Sequence, residues 1–395
     1  VVFIDHRDEE LEGGRMTVSE PQTVTGQSLD DTRAEAERLA ALDTSLAPTR
    51  RSAFAGLWFV RPIVKTIVNF IVFVLVAFFL VKLIPGDPVV AATGGRLSGK
   101  ALQAARASYG LTGPWWQQLG TYLDQLIHFD LGTSIASGRP VSQDFATRIP
   151  ATLEFVFFGL FFACVFALVV SYFIVTHRSN GFAKALASYA RSAGALPEYV
   201  IGIAALFFFF AELHWAPAPS GRLDPILIAP PQVTGFPMLD SLLAGNTADL
   251  QSYAAHLVLP VIVMVLADSP LLIKMLILSL DEAIDDPATK FRVASGASRR
   301  TVLVSIYRRA LPSAVATLGM LFGLLLGGAV VLESLFSLGG LGQYAVDAVN
   351  SSDVFALRSF LVVVAGMCLV IYLITDILTM LLDSRRRSGV AGKDA

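Results

Sequence analysis

Charge is scarce in this chain: of 395 residues only 16% are Asp, Glu, Lys or Arg, against 54% that are hydrophobic. A soluble domain carries about a quarter charged residues, so the shortage excludes an ordinary water-soluble fold and points to a membrane protein. Cysteine is also nearly absent. The two present, Cys164 and Cys368, both lie inside long apolar runs, which suggests neither a disulfide framework nor a cysteine-type zinc site. The five histidines, His6, His128, His177, His214 and His256, never recur at i, i+4, the spacing at which a helix presents paired metal ligands. No apolar run long enough for the core of a signal peptide precedes Ala53, so the N-terminus is expected in the cytosol. Val1 as first residue suggests a non-ATG start, with Met16 as an alternative.

What is present falls into two kinds of sequence. Residues 1–56 are polar, with clusters such as DHRDEELEGG that lack the apolar surface needed to offset chain entropy. They read as a mostly disordered cytosolic extension with one short helix in SLDDTRAEAERLAAL. From 57 to 387 the chain reads as a membrane domain, followed by a tail over 388–395. A bilayer core of about 30 Å needs about 20 helical residues, and six segments meet that length: about 62–83, 152–176, 185–212, 254–280, 312–336 and 357–383. The third is interrupted by Pro197 and Glu198, and the fourth carries Asp268.

Lys and Arg in the short connections set orientation. Arg50, Arg51, Arg61, Lys65, Arg178, Lys184, Arg191 and Arg385 to Arg387 all fall on one side, which is therefore the cytosolic one, with both termini inside. The long connections from Pro85 to Pro150 and from Leu213 to Tyr253 lie outside. Trp115, Trp116, Phe129 and Trp215 predict that they fold over the membrane surface.

One cytosolic stretch stands apart. TKFRVASGASRRTVLVSIYRRALP, Thr289 to Pro312, holds Lys290, Arg292, Arg299, Arg300, Arg308 and Arg309 and no acidic residue. Asp286 before Pro287 is a helix start, a capping carboxylate and then a residue whose missing N–H is not needed. A short helix from Pro287 to Ser295 is expected. Gly296 then supplies the freedom a helix end requires, and Ser298 caps a second helix, RRTVLVSIYRRA, whose Val302 and Ile306 share a face. Charges that only set topology and meet lipid phosphates explain the basic residues, but not the break at Gly296.

Here the sequence resembles a family, the inner-membrane permease subunits of binding-protein-dependent ABC importers, in their dipeptide/oligopeptide/nickel branch. The likeness runs from about Phe70 to Arg387. It comprises LIPGDP at Leu83 to Pro88, YGLTGP at Tyr109 to Pro114, DLGTSIASGRPV at Asp130 to Val141, and RIPATLE at Arg148 to Glu154. HLVLP at His256 to Pro260, the basic stretch, and LLLGGAVVLESLFSLGGLG at Leu324 to Gly342 complete it. The resemblance implies an all-α polytopic fold of six transmembrane helices, the type I importer permease, in the inner (cytoplasmic) membrane. It also implies that about 281–311 is the EAA loop that docks into the ATPase, through Lys290, Phe291, Arg292, Ala294, Ser295, Gly296, Ala297, Ser298, Arg299 and Arg300. The implied partners are a second, homologous permease, two ATPase subunits carrying ATP and Mg, an external substrate-binding protein and the bilayer, with no nucleic acid and no cofactor on this chain. Peptides are the expected substrate class, with nickel chelates and glutathione-like molecules as alternatives. There are departures: Lys290 stands where the wider family has its glutamate, Phe291 and Arg292 replace small residues, and Gly339, Gly340, Leu341, Gly342 lacks the proline of PGLG.

Other constellations carry less. GGRLSGKA at Gly94 to Ala101 matches GxxxxGK, but Ala101 stands where a phosphate loop needs Ser or Thr. Gly319, Gly323 and Gly327 form a small-xxx-small row, which serves close packing or a gate. Asp268 lines a substrate path and attracts a peptide ammonium, or accepts a hydrogen bond from a neighbouring span. Glu333 and Glu154, at the outer ends of their spans, are expected to anchor an outer gate. An intramembrane aspartyl protease would pair two Asp across helices, but Asp376 lies nearer the cytosolic end than Asp268. The alternative from another class is a channel or receptor working without ATPases.

Overall fold

Inside hydrocarbon a backbone amide finds no water, so an apolar run must satisfy its hydrogen bonds as a helix. In the computed structural model, which describes residues 60–83, 86–191 and 196–382, these runs become helices. The expected N-terminal extension, its short helix and the C-terminal tail lie outside those residues. Helix α1 is Val60–Lys82; α2 Pro88–Ala92, α3 Gly99–Ser108 and α4 Trp115–Ile127 follow it. Then come α5 Val141–Thr176, α6 Gly181–Arg191, α7 Glu198–Ala205 with a π-helical turn Leu206–Glu212, α8 Pro237–Leu243 and α9 Thr247–Asp285. The order ends with α10 Pro287–Ala294, α11 Arg299–Leu335, α12 Leu341–Asn350 and α13 Val354–Leu382.

Among the described residues five helices are long and apolar enough to cross a membrane: α1, α5, α9, α11 and α13. The third expected span, 185–212, is the exception. Pro197 cannot continue a helix from its N-terminal side and restrains Leu196, so α7 starts afresh at Glu198. From Glu198 to Glu212 it reaches only ~22 Å at 1.5 Å per residue, short of a bilayer core. The chain therefore has five helices of spanning length among the described residues, with the third segment in two pieces.

The long helices also overrun their apolar cores. α5, α9 and α11 have 36, 39 and 37 residues, each ~55 Å long. α5 begins well before the apolar run, with Pro150 inside it, and α11 begins in the basic stretch and runs through Pro312.

The main core is the seam of α5, α9 and α11. Phe155, Ala163, Ala167, Met264, Ile273, Leu321, Leu325 and Leu332 are sealed within it. On α5 Gly159, Ala163 and Ala167 lie four apart, and a Cβ at Gly159 would collide with the Met264 sulfur. That small-residue row brings α5 close to α9. α1 packs on α13 through Val74, Ala77, Phe78 and Val362, joined by Tyr122 of α4.

Both long connections are folded, as their aromatics lead one to expect. In the first, Asp87 of LIPGDP caps α2, accepting from the N–H groups of Val89 (2.9 Å) and Val90 (3.2 Å), and pairs with Arg106 of α3. Burial works against the Asp87 carboxylate, but these hydrogen bonds and the Arg106 guanidinium hold its pKa below the usual range. DLGTSIASGRPV forms a short hairpin bridged between Thr133 and Pro140. It hangs on Asp353, 1% exposed, which accepts from Ser134 Oγ (2.6 Å), the Ala136 N–H (3.0 Å) and the Ala356 N–H (3.0 Å).

Replacing Asp353 by Ala orphans three donors at once and removes the cap of α13. The expected cost is about 2–3 kcal/mol, read as a lower unfolding temperature in detergent together with faster protease cleavage within 131–140. Wild-type values of both would show that the hairpin is held by something else.

Candidate functional site

Two regions gather the candidate residues, one at each end of α11. The first is the turn from α9 into α11. Asp286 caps α10, its carboxylate accepting from the Ala288 N–H at 2.7 Å, and Pro287 takes the first helical position. α10 ends where Gly296 adopts φ +76, a left-handed conformation that suits glycine. There the N–H groups of Gly296 and Ala297 bond back to the carbonyls of Val293 and Arg292, both at 3.1 Å. Ser298 Oγ then caps α11 by accepting from the Thr301 N–H at 3.3 Å. Helix, glycine break and helix are thus present, with one correction. The second helix is not a separate short one but the first turns of α11, continuous with the fifth predicted span.

The loop is clamped to the membrane domain. Arg309 of α11 pairs with Asp286 at 2.9 Å and donates to Thr289 Oγ1 at 3.1 Å, while the Thr289 hydroxyl donates to the Ala283 carbonyl at 2.7 Å. Thr289 is buried at 3%, and Leu280, Ala283, Ile306 and Ala310 seal the apolar side. Arg178, from the α5–α6 connection, pairs with Asp281. By contrast Phe291 and Val293 are 72% and 61% exposed. Arg292, Ala294, Ser295, Gly296, Ser298, Arg299 and Arg300 are exposed as well, and Ala297 half-buried. Lys290 lies 3.8 Å from Asp285, both at the surface. So the side of α10 that could meet another protein carries an apolar pair ringed by basic residues. Behind it an open cleft of about 1110 Å³ is lined by groups including Glu282, Arg300, Arg308 and Ser313.

At the opposite end of α11, Glu333 is completely buried. Its carboxylate accepts from Thr152 Oγ1 of α5 and from the Gly342 N–H of α12, both at 2.6 Å. Thr152 Oγ1 in turn accepts from the Leu341 N–H at 2.7 Å. Gly340 and Gly342 are small because the carboxylate fills their space: a Cβ at Gly340 would fall on the Glu333 carboxylate, and one at Gly342 on the Val330 backbone. Beside this hub Arg222, from the second long connection, approaches Glu154 at 3.2 Å, both side chains 6% exposed. This is a charge contact without hydrogen-bond alignment, and Glu154 accepts its aligned bond from the Met238 N–H at 3.0 Å. Burial lowers the Arg222 pKa, while Glu154 and Glu333 act to keep it charged. Asp240, nearby in the chain, accepts from the Thr234 N–H and hydroxyl, both 2.7 Å, and from the Gly235 N–H at 3.0 Å.

Between the two ends, Asp268 of α9 lies beside Glu198 at the start of α7, and each keeps one buried carboxyl oxygen without a hydrogen-bond partner. Glu198 also rests on Gly328, where a Cβ would meet its carboxylate. Tyr189 of α6 reaches the same part of α9, bonding the Leu266 carbonyl at 2.7 Å and Ser269 Oγ at 3.0 Å. Asp376 is exposed on α13 and takes no part. Of the glycine row, Gly319 and Gly323 lie under Thr375 and Tyr372 of α13, whereas Gly327 faces open space. The close approach at that level belongs to Gly328, which a four-residue spacing does not select. Glu198, read from sequence as an interruption, and Arg222, not singled out at all, are the missed partners. A carboxylate beside a proline within an apolar run was the available signal for Glu198.

Residues 156–388 match the model of the family described as binding-protein-dependent transport system inner membrane component. Residues 57–156 match the corresponding N-terminal family model. The chain is similar to the probable D,D-dipeptide transport system permease protein DdpB of Escherichia coli (strain K12), 30% identical over 315 residues, covering 80% of this chain and 92% of that one. It is 29% identical over 324 residues to the dipeptide transport system permease protein DppB of the same strain, covering 81% and 95%. It is also 30% identical over 315 residues to the di/tripeptide transport system permease protein DppB of Pseudomonas aeruginosa (strain UCBPP-PA14), covering 79% and 93%.

Two glycines separate packing from mere spacing. Gly342→Ala should cost about 3 kcal/mol or more by overpacking, whereas Gly327→Ala should stay within about 0.5 kcal/mol of wild type or gain from helix propensity. Thermal unfolding of both variants in one detergent checks the contrast; equal effects would contradict the packing described.

Proposed function

The chain belongs to the family of binding-protein-dependent transport system inner membrane components, in its dipeptide and oligopeptide branch, and on that basis we propose that it forms half of the translocation pathway of an ATP-driven peptide importer. A second, homologous permease supplies the other half. Two cytosolic ATPase subunits hold ATP and Mg, and an external binding protein delivers the substrate. This subunit catalyses no reaction of its own. The membrane domain, about 57–387, sits in the cell membrane with the termini and the coupling loop in the cytosol. Relatives named for dipeptides, D,D-dipeptides and di/tripeptides support short peptides over nickel chelates or glutathione-like molecules.

The observation that carries this reading is the clamped loop. An ATPase that pushes on α10 needs a surface to grip and a stiff link behind it. Phe291 and Val293 supply an exposed apolar grip, with Lys290, Arg292, Arg299 and Arg300 around it. The link is the Asp286–Arg309–Thr289 network, which ties α10 to the continuous α11. Closure of the ATPases on ATP then moves α9 and α11 together, and alternating access follows as rocking of packed helices rather than as bending of a loop. In this scheme Asp268 with Glu198, and the α11–α13 contact at Gly319 and Gly323, lie on the path or its gate. Glu333 holds the outer end as a fixed anchor.

Three substitutions test the lever. Gly296→Pro demands a φ near −65° where +76 is found and deletes the N–H that bonds the Val293 carbonyl, so uptake and stimulated ATP hydrolysis should be lost while the protein still inserts. Arg309→Gln should lower uptake about tenfold with the ATPases still co-purifying, because it loosens the link and spares the grip. Phe291→Ala should do the reverse, weakening co-purification in mild detergent. Normal peptide uptake by Gly296→Pro would refute the lever, and a wild-type complex that never retains an ATPase would refute the importer reading itself.

A further inference from the structure

A cavity of about 470 Å³ opens between the end of α1, helices α2 to α4 and the start of α13, far along the chain from the coupling loop and apart from the Glu333 hub. Three cations, Lys82, Arg106 and Arg358, and one carboxylate, Asp87, line it, leaving two positive charges. Arg106 is matched by Asp87. Arg358 is not matched: among the described residues no carboxylate pairs with it, and its buried Nε has no hydrogen-bond partner. Its guanidinium is held between aromatic rings, 4.0 Å from the Tyr122 centroid and 5.1 Å from that of Phe355. The Tyr122 hydroxyl is likewise buried and unpartnered. Burial pushes its pKa up to about 12 despite the nearby guanidinium, so it remains a proton donor. Lys82 stands at the rim with its Nζ 5.2 Å from the Phe78 ring.

A preoriented guanidinium, an ammonium and a phenol converging on one cavity form a site for a phosphate-type anion. The level of the site identifies the source. Lys82 is the last residue of α1 and Val354 the first of α13, so the cavity lies where two spanning helices leave the hydrocarbon. Trp115 packs tilted against Phe79 there and meets Trp116 edge-on, an aromatic group of the kind found at the headgroup level. Directly below, Val72, Val76, Phe79 and Leu80 of α1 are 54%, 48%, 45% and 53% exposed, an apolar strip against which acyl chains can lie. A free phosphate would use the cations but not the strip. We propose that this cavity binds the phosphate group of an anionic glycerophospholipid whose chains run down the face of α1.

The test uses the full-length protein, with any co-purifying subunits, in phosphatidylcholine nanodiscs doped with spin-labelled phosphatidylglycerol or, separately, spin-labelled phosphatidylcholine. Wild type should hold the phosphatidylglycerol label in an immobilised fraction about tenfold enriched over the phosphatidylcholine label. Lys82→Gln, at an exposed position that should not disturb folding, and Arg358→Gln should each reduce the enrichment severalfold. Tyr122→Phe keeps the ring under Arg358 and removes only the donor, so it should give an intermediate loss, while Arg358→Lys should retain most of the preference. An enrichment that is absent in wild type, or unchanged in both charge-removing variants, overturns the proposal. Saturable binding of inorganic phosphate in detergent, lost in the same variants but without any phosphatidylglycerol preference in nanodiscs, overturns the lipid as the source.

Discussion

A carboxylate with no access to water can persist only if its surroundings supply the hydrogen bonds that water would have given, and at Glu333 that requirement organises a whole end of the molecule. The acceptor takes one bond from a hydroxyl on α5 and one from a backbone amide on α12. Three helices are thereby brought to fixed distances. The amide can come close enough only if residues 340 and 342 lack side chains, and Arg222 and Glu154 then fill the adjoining space with a second, opposite pair of charges. Removing one member of such a group leaves a buried charge uncompensated, which costs more than the group contributes when complete. Its role is to specify an arrangement rather than to add stability.

The other end of α11 solves the same problem with weaker means. The Asp286–Arg309 pair is partly exposed and on its own is worth little. It gains rigidity from Thr289, whose hydroxyl donates to the Ala283 carbonyl and accepts from Arg309, and from the small apolar core around Ile306. The basic end of α11 is thus held by several modest contacts that can be rearranged, and the Glu333 end by a buried group that resists rearrangement. This difference suits a body that pivots about one end.

Much of this was legible from residue order alone, for reasons that can be named. Apolar runs revealed the spans because the lipid core imposes a length, and Asp286, Pro287 and Gly296 marked helix ends because caps and left-handed turns select those residues locally. Where the signal is not local, reading stopped. The polar first turns of α5 and α11 continue as helix although their composition reads as loop, so both helices begin well before the spans expected from apolar length. Proline at 197 halves a segment whose hydropathy alone looks continuous. Glu333 and Thr152 are 181 positions apart, and nothing near either one announces the other. The glycine row failed at Gly327 for a related reason. A four-residue spacing describes one face of an ideal helix, whereas the neighbour that requires a glycine is a side chain, Glu198, arriving at Gly328 from another helix.

The continuity of α11 from Arg299 to Leu335 also sets a tempo. An isolated surface loop explores its conformations in nanoseconds to microseconds, whereas collective displacements of packed helices take microseconds to milliseconds. Because the basic turn runs into the span that follows as one unbroken helix, with Pro312 inside it, its displacement is tied to that of the packed helix. Whatever moves it must wait for the helix bundle, and its clock is that of the bundle.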